Sequence, residues 1–314
     1  MPFIIDAALS DVHVTRWRDG VRSDAKDKVA EEVPIALIYN GVSHAVMLAT
    51  PQDLEDFALG FSLSEGILQS KSELYDIEII TQAQGIELRL EVASEAFAML
   101  KERRRNLTGR TGCGLCGAES LEQALRLPLR EKSDATGLLH SSASLQPQGL
   151  SPQNIPAEAG YSCVKPNIHK GSGASLPMIH ANSIIKAFHA MQTKQVLQQA
   201  TGATHACAWI STELNAQGEV VMLREDVGRH NAMDKLIGAL AKSARQENGF
   251  VLTSSRASVE MVQKVALAGY GLLAAISAPT GLAIRIAEAY GVTLVGFLRE
   301  QQFVIYTHPQ RIKS

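Results

Sequence analysis

The hydrophobic and polar positions of this chain form two series with different periods. In the first, the run Val33–Tyr39 is rich in β-forming residues and leads into Asn40-Gly41, a strong hairpin signal. Residues 54–61 instead repeat apolar side chains at helical spacing, after a Thr50-Pro51 pair typical of a helix start. Further strands are predicted at residues 76–81 and 86–92, and a helix at 96–106. This series predicts a small α+β unit.

The second series begins near residue 178, where strand and helix patterns alternate. Strands are predicted at 204–211, 219–223, 250–252, 272–276 and 293–297, and helices at 178–200, 231–241, 258–268 and 281–290. Such alternation is typical of parallel strands joined by crossover helices. Between the series, residues 134–176 are rich in Ser, Pro, Gly and Gln. We therefore predict an α/β protein with a small α+β domain (1–133), an irregular connection (134–176) and a larger α/β domain (177–314).

Polar, turn-forming residues follow three predicted strands of the larger domain. They are Ser254-Ser255-Arg256, residues 277–280 and residues 298–302. Ligands of open α/β sheets bind beyond the carboxyl ends of the strands, and the free N–H groups of helix N-termini favour phosphate. Hydroxyls and arginines at these ends predict a phosphorylated or nucleotide-bearing ligand, although ordinary helix caps use the same residue types.

A second polar segment, residues 224–231, lies at a predicted strand-to-helix junction and carries both charge signs and a histidine. A capped helix with a structural ion pair would explain part of it, but the number of polar residues exceeds what a cap requires. His205, at the entry to a strand, is either structural or a ligand contact. Cys207 nearby is predicted to face the core.

Composition sets the broad class. The chain has 314 residues, 46% of them hydrophobic, and a formal net charge of -2, which gives no global argument for nucleic-acid or membrane binding. Its four cysteines are too few for a disulfide scaffold of this size. Residues 265–284 carry no formal charge, but Gly and Pro interrupt them, so we expect no membrane span. A soluble, cytoplasmic protein is predicted.

The most distinctive stretch is residues 110–117, where Cys113 and Cys116 stand three positions apart with glycine before, between and after them. Such a pair can be half a metal site, a dithiol couple or a sulfur nucleophile. A structural zinc site needs four ligands, and no second pair occurs. Gly112 replaces the proline of the zinc deaminase signature, so no metal is predicted. A carrier thiol fits best, because the arginines at 103–105 and Arg110 would favour the thiolate.

Residues 110–117 resemble the signature of the FdhD family, the sulfurtransferases needed for formate dehydrogenase activity. Other segments resemble family segments in the same order: residues 32–34, 57–61, 65–66, 224–231, 258–262, 277–280 and 293–297. The resemblance implies that Cys113 accepts sulfane sulfur from a cysteine desulfurase as a persulfide, with Cys116 assisting relay or release. The acceptor would be the molybdenum cofactor carrying two guanine dinucleotide groups, which is then inserted into apo formate dehydrogenase.

The resemblance also implies a homodimer whose larger domain has a cytidine-deaminase-like, three-layer fold without the deaminase zinc. The cofactor-binding stretch would be Phe297, Leu298, Arg299, Glu300, Gln301 and Gln302. Arg256 and His205 are further candidates, and Asp226 or Glu225 is hypothesised to pair with a guanine edge, with GDP as a mimic of the cofactor. Two alternatives stay open: a cofactor chaperone whose thiols are structural, and a zinc-binding interaction module.

Overall fold

A computed structural model describes residues 7–105, 178–213, 218–243 and 248–314. The thiol pair, Cys163 and the two predicted domain boundaries lie outside these residues. Within them the chain forms two docked α/β units and an N-terminal hairpin, which agrees with the predicted fold class. In this part of the chain, no helix is both long enough and apolar enough to span a membrane.

The hairpin consists of β1 (Leu9–Arg18) and β2 (Val21–Ala30), paired antiparallel around a turn at Asp19-Gly20. Both turn residues have positive φ, 51° and 80°, as tight hairpin turns require. No strand was predicted here, because charged residues crowd both strands and leave no clean apolar face. Trp17 near the turn is 74% exposed.

The small unit is a four-stranded sheet covered on one face by two helices. Its strands are β3 (Val33–Tyr39), β4 (Val42–Ala49), β5 (Leu74–Gln82) and β6 (Gly85–Val92), in the order β4-β3-β6-β5. Its helices are α1 (Leu54–Ser64) and α2 (Ser94–Arg105). Every second residue of β3, from Val33 to Tyr39, is buried in the core beside Phe57 of α1. The predicted α+β unit is confirmed.

The predicted start of α1 is wrong by about one turn. Thr50 and Pro51 were expected to be the N-cap and first helical residue, but α1 begins at Leu54 after Asp53, whose φ is 54°. Thr50 is instead fully buried against the large unit, where its N–H, carbonyl and hydroxyl groups all make hydrogen bonds. Tertiary contacts therefore override the local helix-start signal.

The large unit is a six-stranded sheet in the order β13-β12-β11-β10-β8-β9. Its strands are β8 (His205–Ser211), β9 (Val220–Asp226), β10 (Gly249–Thr253), β11 (Leu272–Ala275), β12 (Thr293–Gly296) and β13 (Val304–Ile305). The predicted parallel pairing holds for β10, β11 and β12, whereas β8 and β13 run antiparallel to their neighbours. A short parallel bridge joins β7 (Ile179–His180) to β14 (Ile312–Lys313).

Helices cover both faces of this sheet. They are α3 (Ala181–Lys194), α4 (Val196–Thr201), α5 (Arg229–Lys242), α6 (Val259–Leu267) and α7 (Gly281–Tyr290). Alternate residues of β8 point to opposite sides: Ala206 packs with α3, and Cys207 packs with α5, α6 and α7. The three-layer arrangement is confirmed, although the single helix predicted over 178–200 divides at Gln195.

The two units meet where α1 crosses α5. A Cβ atom on Gly60 would lie 1.7 Å from the Asp234 carbonyl oxygen, and one on Gly238 would lie 1.9 Å from that of Asp56. The two helix backbones are thus in direct contact, and only glycine fits at either position.

Buried charges surround the crossing. The Lys235 Nζ lies 2.7 Å from a carboxylate oxygen of Asp226, and both side chains are fully buried. On the other side, the Lys264 Nζ lies 2.8 Å from Asp234 and donates to Ser64 of α1 at 2.8 Å. Both ion pairs lie within the large unit, and the same two lysines reach across the crossing: Lys264 donates to Ser64, and Lys235 donates to the Thr50 carbonyl at 2.9 Å, so these hydrogen bonds tie the units together.

Candidate functional site

The carboxyl ends of four strands and the start of a fifth meet at one edge of the large sheet. The Ser254 N–H donates to Ala206 of β8 at 2.9 Å, and the Ile276 N–H donates to Thr253 of β10 at 3.0 Å. The Phe297 N–H donates to the Ser277 carbonyl at 3.2 Å. We call this the strand-end edge and define it as His205 with residues 227–230, 254–258, 276–280 and 297–302. The structure therefore brings together the three strand ends predicted from sequence.

Positive side chains gather at the strand-end edge. Burial lowers the pKa of His205, and the charges of Arg229, His230 and Arg256 lower it further. Four cationic or titratable groups from β8, the start of α5 and the end of β10 are thus close enough to repel one another. An anion bound here would relieve that repulsion.

Hydrogen-bond donors at the same edge also lack protein partners. Helices α5, α6 and α7 all begin here, and only α7 has a side-chain cap, in which the Ala283 N–H donates to the Thr280 hydroxyl at 3.3 Å. Among the described residues, the Arg229 Nε and the Ser258 hydroxyl are buried and make no hydrogen bond. Free N–H groups with an arginine and a hydroxyl suit the oxygens of a phosphate group, so the residues present fit a nucleotide-bearing ligand.

The segment 297–302 has both buried and exposed positions. Leu298 is fully buried, whereas the Phe297 side chain is 44% exposed on a backbone with φ of 51°. Arg299 is held by its guanidinium, which donates to the carbonyls of Ile276 and Leu298. Gln301 and Gln302 are exposed. Leu298 therefore anchors the loop, and the exposed side chains are those able to contact a ligand.

The backbone of the same loop is closed by the Arg299 N–H, which donates to the Gln302 carbonyl at 2.8 Å. The carbonyl of Glu300, whose side chain is exposed, lies 3.4 Å from the Nε2 atom of His189 on α3. The loop is thus tied to the sheet edge and to the opposite helical layer.

Asp226 and Glu225 have structural roles. They are the last two residues of β9, just before the junction with α5 that the sequence predicts, and both are buried. Asp226 accepts hydrogen bonds from the backbone N–H groups of Thr50 and Gly228 besides pairing with Lys235. Glu225 accepts the N–H groups at the start of α4. A guanine edge could reach either carboxylate only by displacing these contacts.

An unpredicted pair lies at the edge. The Nε2 atom of His230 is 2.6 Å from a carboxylate oxygen of Glu260, and this close contact is the main cause that lowers the pKa of Glu260. Each is the second residue of its helix. The signal available in the sequence was that both predicted helices begin at the same sheet edge, which places their first turns side by side.

The cysteines separate into two kinds. Cys207 is fully buried beside Thr253, and burial raises the pKa of its thiol to about 12, as expected for an inert core thiol. Cys113 and Cys116 lie outside the described residues. Within the described part of the chain, no three His, Cys, Asp or Glu side chains are grouped so as to hold a metal ion.

The fold and the edge together define a two-unit α/β protein with a cationic strand-end edge. A family model described as the FdhD/NarQ family matches residues 30–148 and 158–313. The chain belongs to this family.

Its relatives match over almost their full lengths. The chain is 52% identical to the sulfur carrier protein FdhD of Cupriavidus necator over 301 residues, 96% of this chain and 88% of the relative. It is 45% identical to the protein of that name from Bordetella petrii, over 97% of this chain and 94% of the relative. It also resembles the crystal structure of a candidate formate dehydrogenase accessory protein from Desulfotalea psychrophila, with a TM-score of 0.65 and 20% identity, over 98% of this chain and 100% of that one. That likeness supports the fold.

Proposed function

We propose that this protein is a sulfur carrier that supports formate dehydrogenase. It accepts sulfane sulfur from a cysteine desulfurase as a persulfide on Cys113 and passes it to the molybdenum cofactor carrying two guanine dinucleotide groups. The family match and the names of its relatives support the sulfur-carrier role. The FdhD resemblance supplies the donor, the acceptor and the role of each thiol.

The observation that carries the proposal is the strand-end edge. Its cations and uncapped helix starts suit the diphosphate of a guanine dinucleotide, and its exposed Phe297 offers an apolar surface. Arg229 and Arg256 would hold the phosphates, since guanidinium groups bind phosphate oxygens through paired hydrogen bonds. A protein that carried sulfur to a protein thiol alone would not need such an edge.

The chemistry requires both thiols to balance. The Cys113 thiolate attacks the outer sulfur of the donor persulfide, and the donor cysteine leaves as a thiolate. This sulfur is at oxidation level zero, whereas a sulfide delivered to the cofactor is two electrons richer. Cys116 supplies those electrons by attacking the Cys113 sulfur, which forms a Cys113–Cys116 disulfide and expels hydrosulfide. A cellular dithiol then reduces the disulfide before the next cycle.

The test incubates the protein with a cysteine desulfurase and cysteine and maps the added sulfur by mass spectrometry. We expect the sulfur on Cys113, its loss in Cys113→Ala and its retention in Cys163→Ala, the control. Absence of added sulfur from both Cys113 and Cys116 would overturn the transferase proposal. If GDP still bound, that outcome would favour the cofactor chaperone, and stoichiometric zinc lost in Cys113→Ala would favour the zinc module.

A further inference from the structure

The N-terminal hairpin has a free strand edge along β1. Strand β2 packs beside α4, and within the residues that the structure describes β1 has a strand neighbour on one side only. Two strands alone are marginally stable in water, and a third strand or a packed element usually completes such a ribbon. Trp17, near the turn, is 74% exposed, the highest value for a large apolar side chain in the described ranges. The edge of β1 is therefore a candidate surface for a partner.

The other sheet edges in the described ranges are protected against pairing with a further strand. Strands β4, β5 and β9 each contain a register shift against their neighbour, and β7, β13 and β14 are only two residues long. Bulges, short strands, Lys and Pro are the usual means by which proteins block edge-to-edge association. Strand β2 carries Lys26 and Lys28. The ten residues of β1 include neither Lys nor Pro, and their register with β2 is unbroken, so β1 is the edge left able to pair.

The odd-numbered residues of β1 present their backbone groups to the free edge. The Glu31 N–H donates to the Ala8 carbonyl at 2.9 Å, so the even-numbered residues are the ones that bond to β2. The N–H of Lys28, which lies opposite Asp11, donates instead to the Asp27 carboxylate at 3.1 Å. The backbone groups that point away from β2 therefore belong to Leu9, Asp11, His13, Thr15 and Trp17.

The sequence of β1 is complementary to itself in an antiparallel pair centred on His13. In this register Leu9 of one copy lies opposite Trp17 of the other, and Val12 lies opposite Val14. A two-fold axis repeats each contact, and no formally charged residue lies opposite another. A pair centred on Val14 would instead place Arg16 opposite Val12, and a pair centred on Val12 would leave Trp17 outside the contact. The register centred on His13 is thus the one that matches apolar residues with each other.

We propose that the edge of β1 is an interface between two copies of this protein, in which the two β1 strands pair antiparallel about His13. The two hairpins then form one four-stranded sheet in the order β2-β1-β1-β2. Trp17 of each copy is covered by Leu9 of the other, and the outward backbone groups of β1 gain hydrogen-bond partners. The homodimer expected from the sequence thereby has a defined surface, and this inference does not depend on sulfur transfer.

Two proline variants test the edge. His13→Pro removes an outward N–H from β1 without removing a hydrogen bond to β2, a position at which edge strands accept proline. It should weaken dimerisation by about tenfold or more, because the central N–H of each copy is lost. Lys26→Pro is the matched control, since Lys26 lies opposite His13 and the change removes the equivalent N–H from the outer edge of β2. It should dimerise like wild type. Sedimentation equilibrium of the full chain measures the dissociation constant, and circular dichroism checks that each variant is folded.

A cysteine variant tests the register. His13→Cys places two thiols directly opposite each other, with Cα atoms about 5.5 Å apart, a separation typical of a disulfide. Diamide should therefore cross-link this variant into a dimer beyond the level seen in wild type. Thr15→Cys is the control, because Thr15 faces Asp11 of the other copy and its two thiols lie more than about 13 Å apart. It should cross-link no more than wild type.

The remaining outcomes each overturn the proposal. A wild-type protein that stays monomeric would leave the edge to an extended segment of some other protein. A dimer that His13→Pro does not weaken would use another surface, and equal weakening by both proline variants would reflect only a less stable hairpin. A dimer lost in His13→Pro without cross-linking in His13→Cys would refute the register. None of these measurements uses a sulfur donor or a nucleotide, so their failure and that of the proposed function are distinguishable.

Discussion

The crossing of α1 and α5 at Gly60 gives the sharpest stability prediction. In Gly60→Ala the new methyl group would begin 1.7 Å from the Asp234 carbonyl oxygen and 2.7 Å from the Gly238 nitrogen. Both atoms are backbone, so no side chain can rotate away. The helices must separate by roughly 1.7 Å to reach the 3.4 Å at which ordinary van der Waals contact begins.

That separation costs free energy in two ways. Overpacking of a close-packed interface costs about 1–3 kcal/mol. The shift also lengthens the buried contacts on both sides of the crossing, including the 2.6 Å hydrogen bond from Ser64 to Asp234, which adds about 1–2 kcal/mol. We therefore expect the free energy of unfolding to fall by about 2–5 kcal/mol, a large share of the stability of a typical protein.

The assay is urea denaturation followed by circular dichroism, in which such a loss lowers the midpoint by about 1 M or more. Gly281→Ala is the control, since the nearest atom to its new Cβ is the end of the Arg285 side chain at 3.8 Å. It should stay within about 0.5 kcal/mol of wild type. Equal midpoints for Gly60→Ala and Gly281→Ala would refute the inferred backbone contact.

Three further predictions concern buried or paired groups. Lys235→Met leaves the Asp226 carboxylate buried without its cation and should lower the free energy of unfolding by about 3–5 kcal/mol, measured in urea. Burial raises the pKa of the Cys207 thiol to about 12, so this thiol should resist iodoacetamide in the folded protein at pH 8 and react in urea. Peptide mass spectrometry measures the modification, and modification of the folded protein would contradict the burial of Cys207. The pKa of Glu260 is lowered by its close contact with His230, so its stabilising contribution is present above the ordinary value of 4.5 and is lost as pH falls through the folded value. Glu260→Gln should thus be less stable than wild type at pH 7, and the difference should close in acid; a constant difference would contradict this sign.

Much of the fold could be predicted from sequence because periodicity reports burial directly. In β3, every second side chain from Val33 to Tyr39 is buried, and the predicted face of α5, with Met233 and Leu236, packs in the core. The N-terminal hairpin was missed because its strands bury too little apolar surface to produce an alternating pattern. The break at Gln195 was missed because neither Pro nor Gly marks it.

The candidate site, like the fold, could be predicted only in part from the sequence. The meeting of three strand ends follows from topology, so sequence alone could predict it. The roles of Asp226 and Glu225 could not be predicted, because their partners, Thr50 and the start of α4, are remote in sequence or reached only through tertiary packing. The pair of His230 and Glu260 was missed for the same reason: its members come from two helices separated by β10.

The contacts that lock the two units also constrain how the protein is made. Thr50 bonds to Asp226 across 176 positions, and Ser64 accepts from Lys264 across 200. During synthesis the small unit therefore leaves the ribosome well before α5 and α6, which cover α1, have been made. Contacts of such long range are also slow to form. During that interval the face of α1 that is buried in the complete protein is exposed to solvent. This face carries the carboxylate of Asp56 and the hydroxyl of Ser64. A nascent or truncated chain that ends before α5 should thus be the form most dependent on chaperones, and the most prone to degradation.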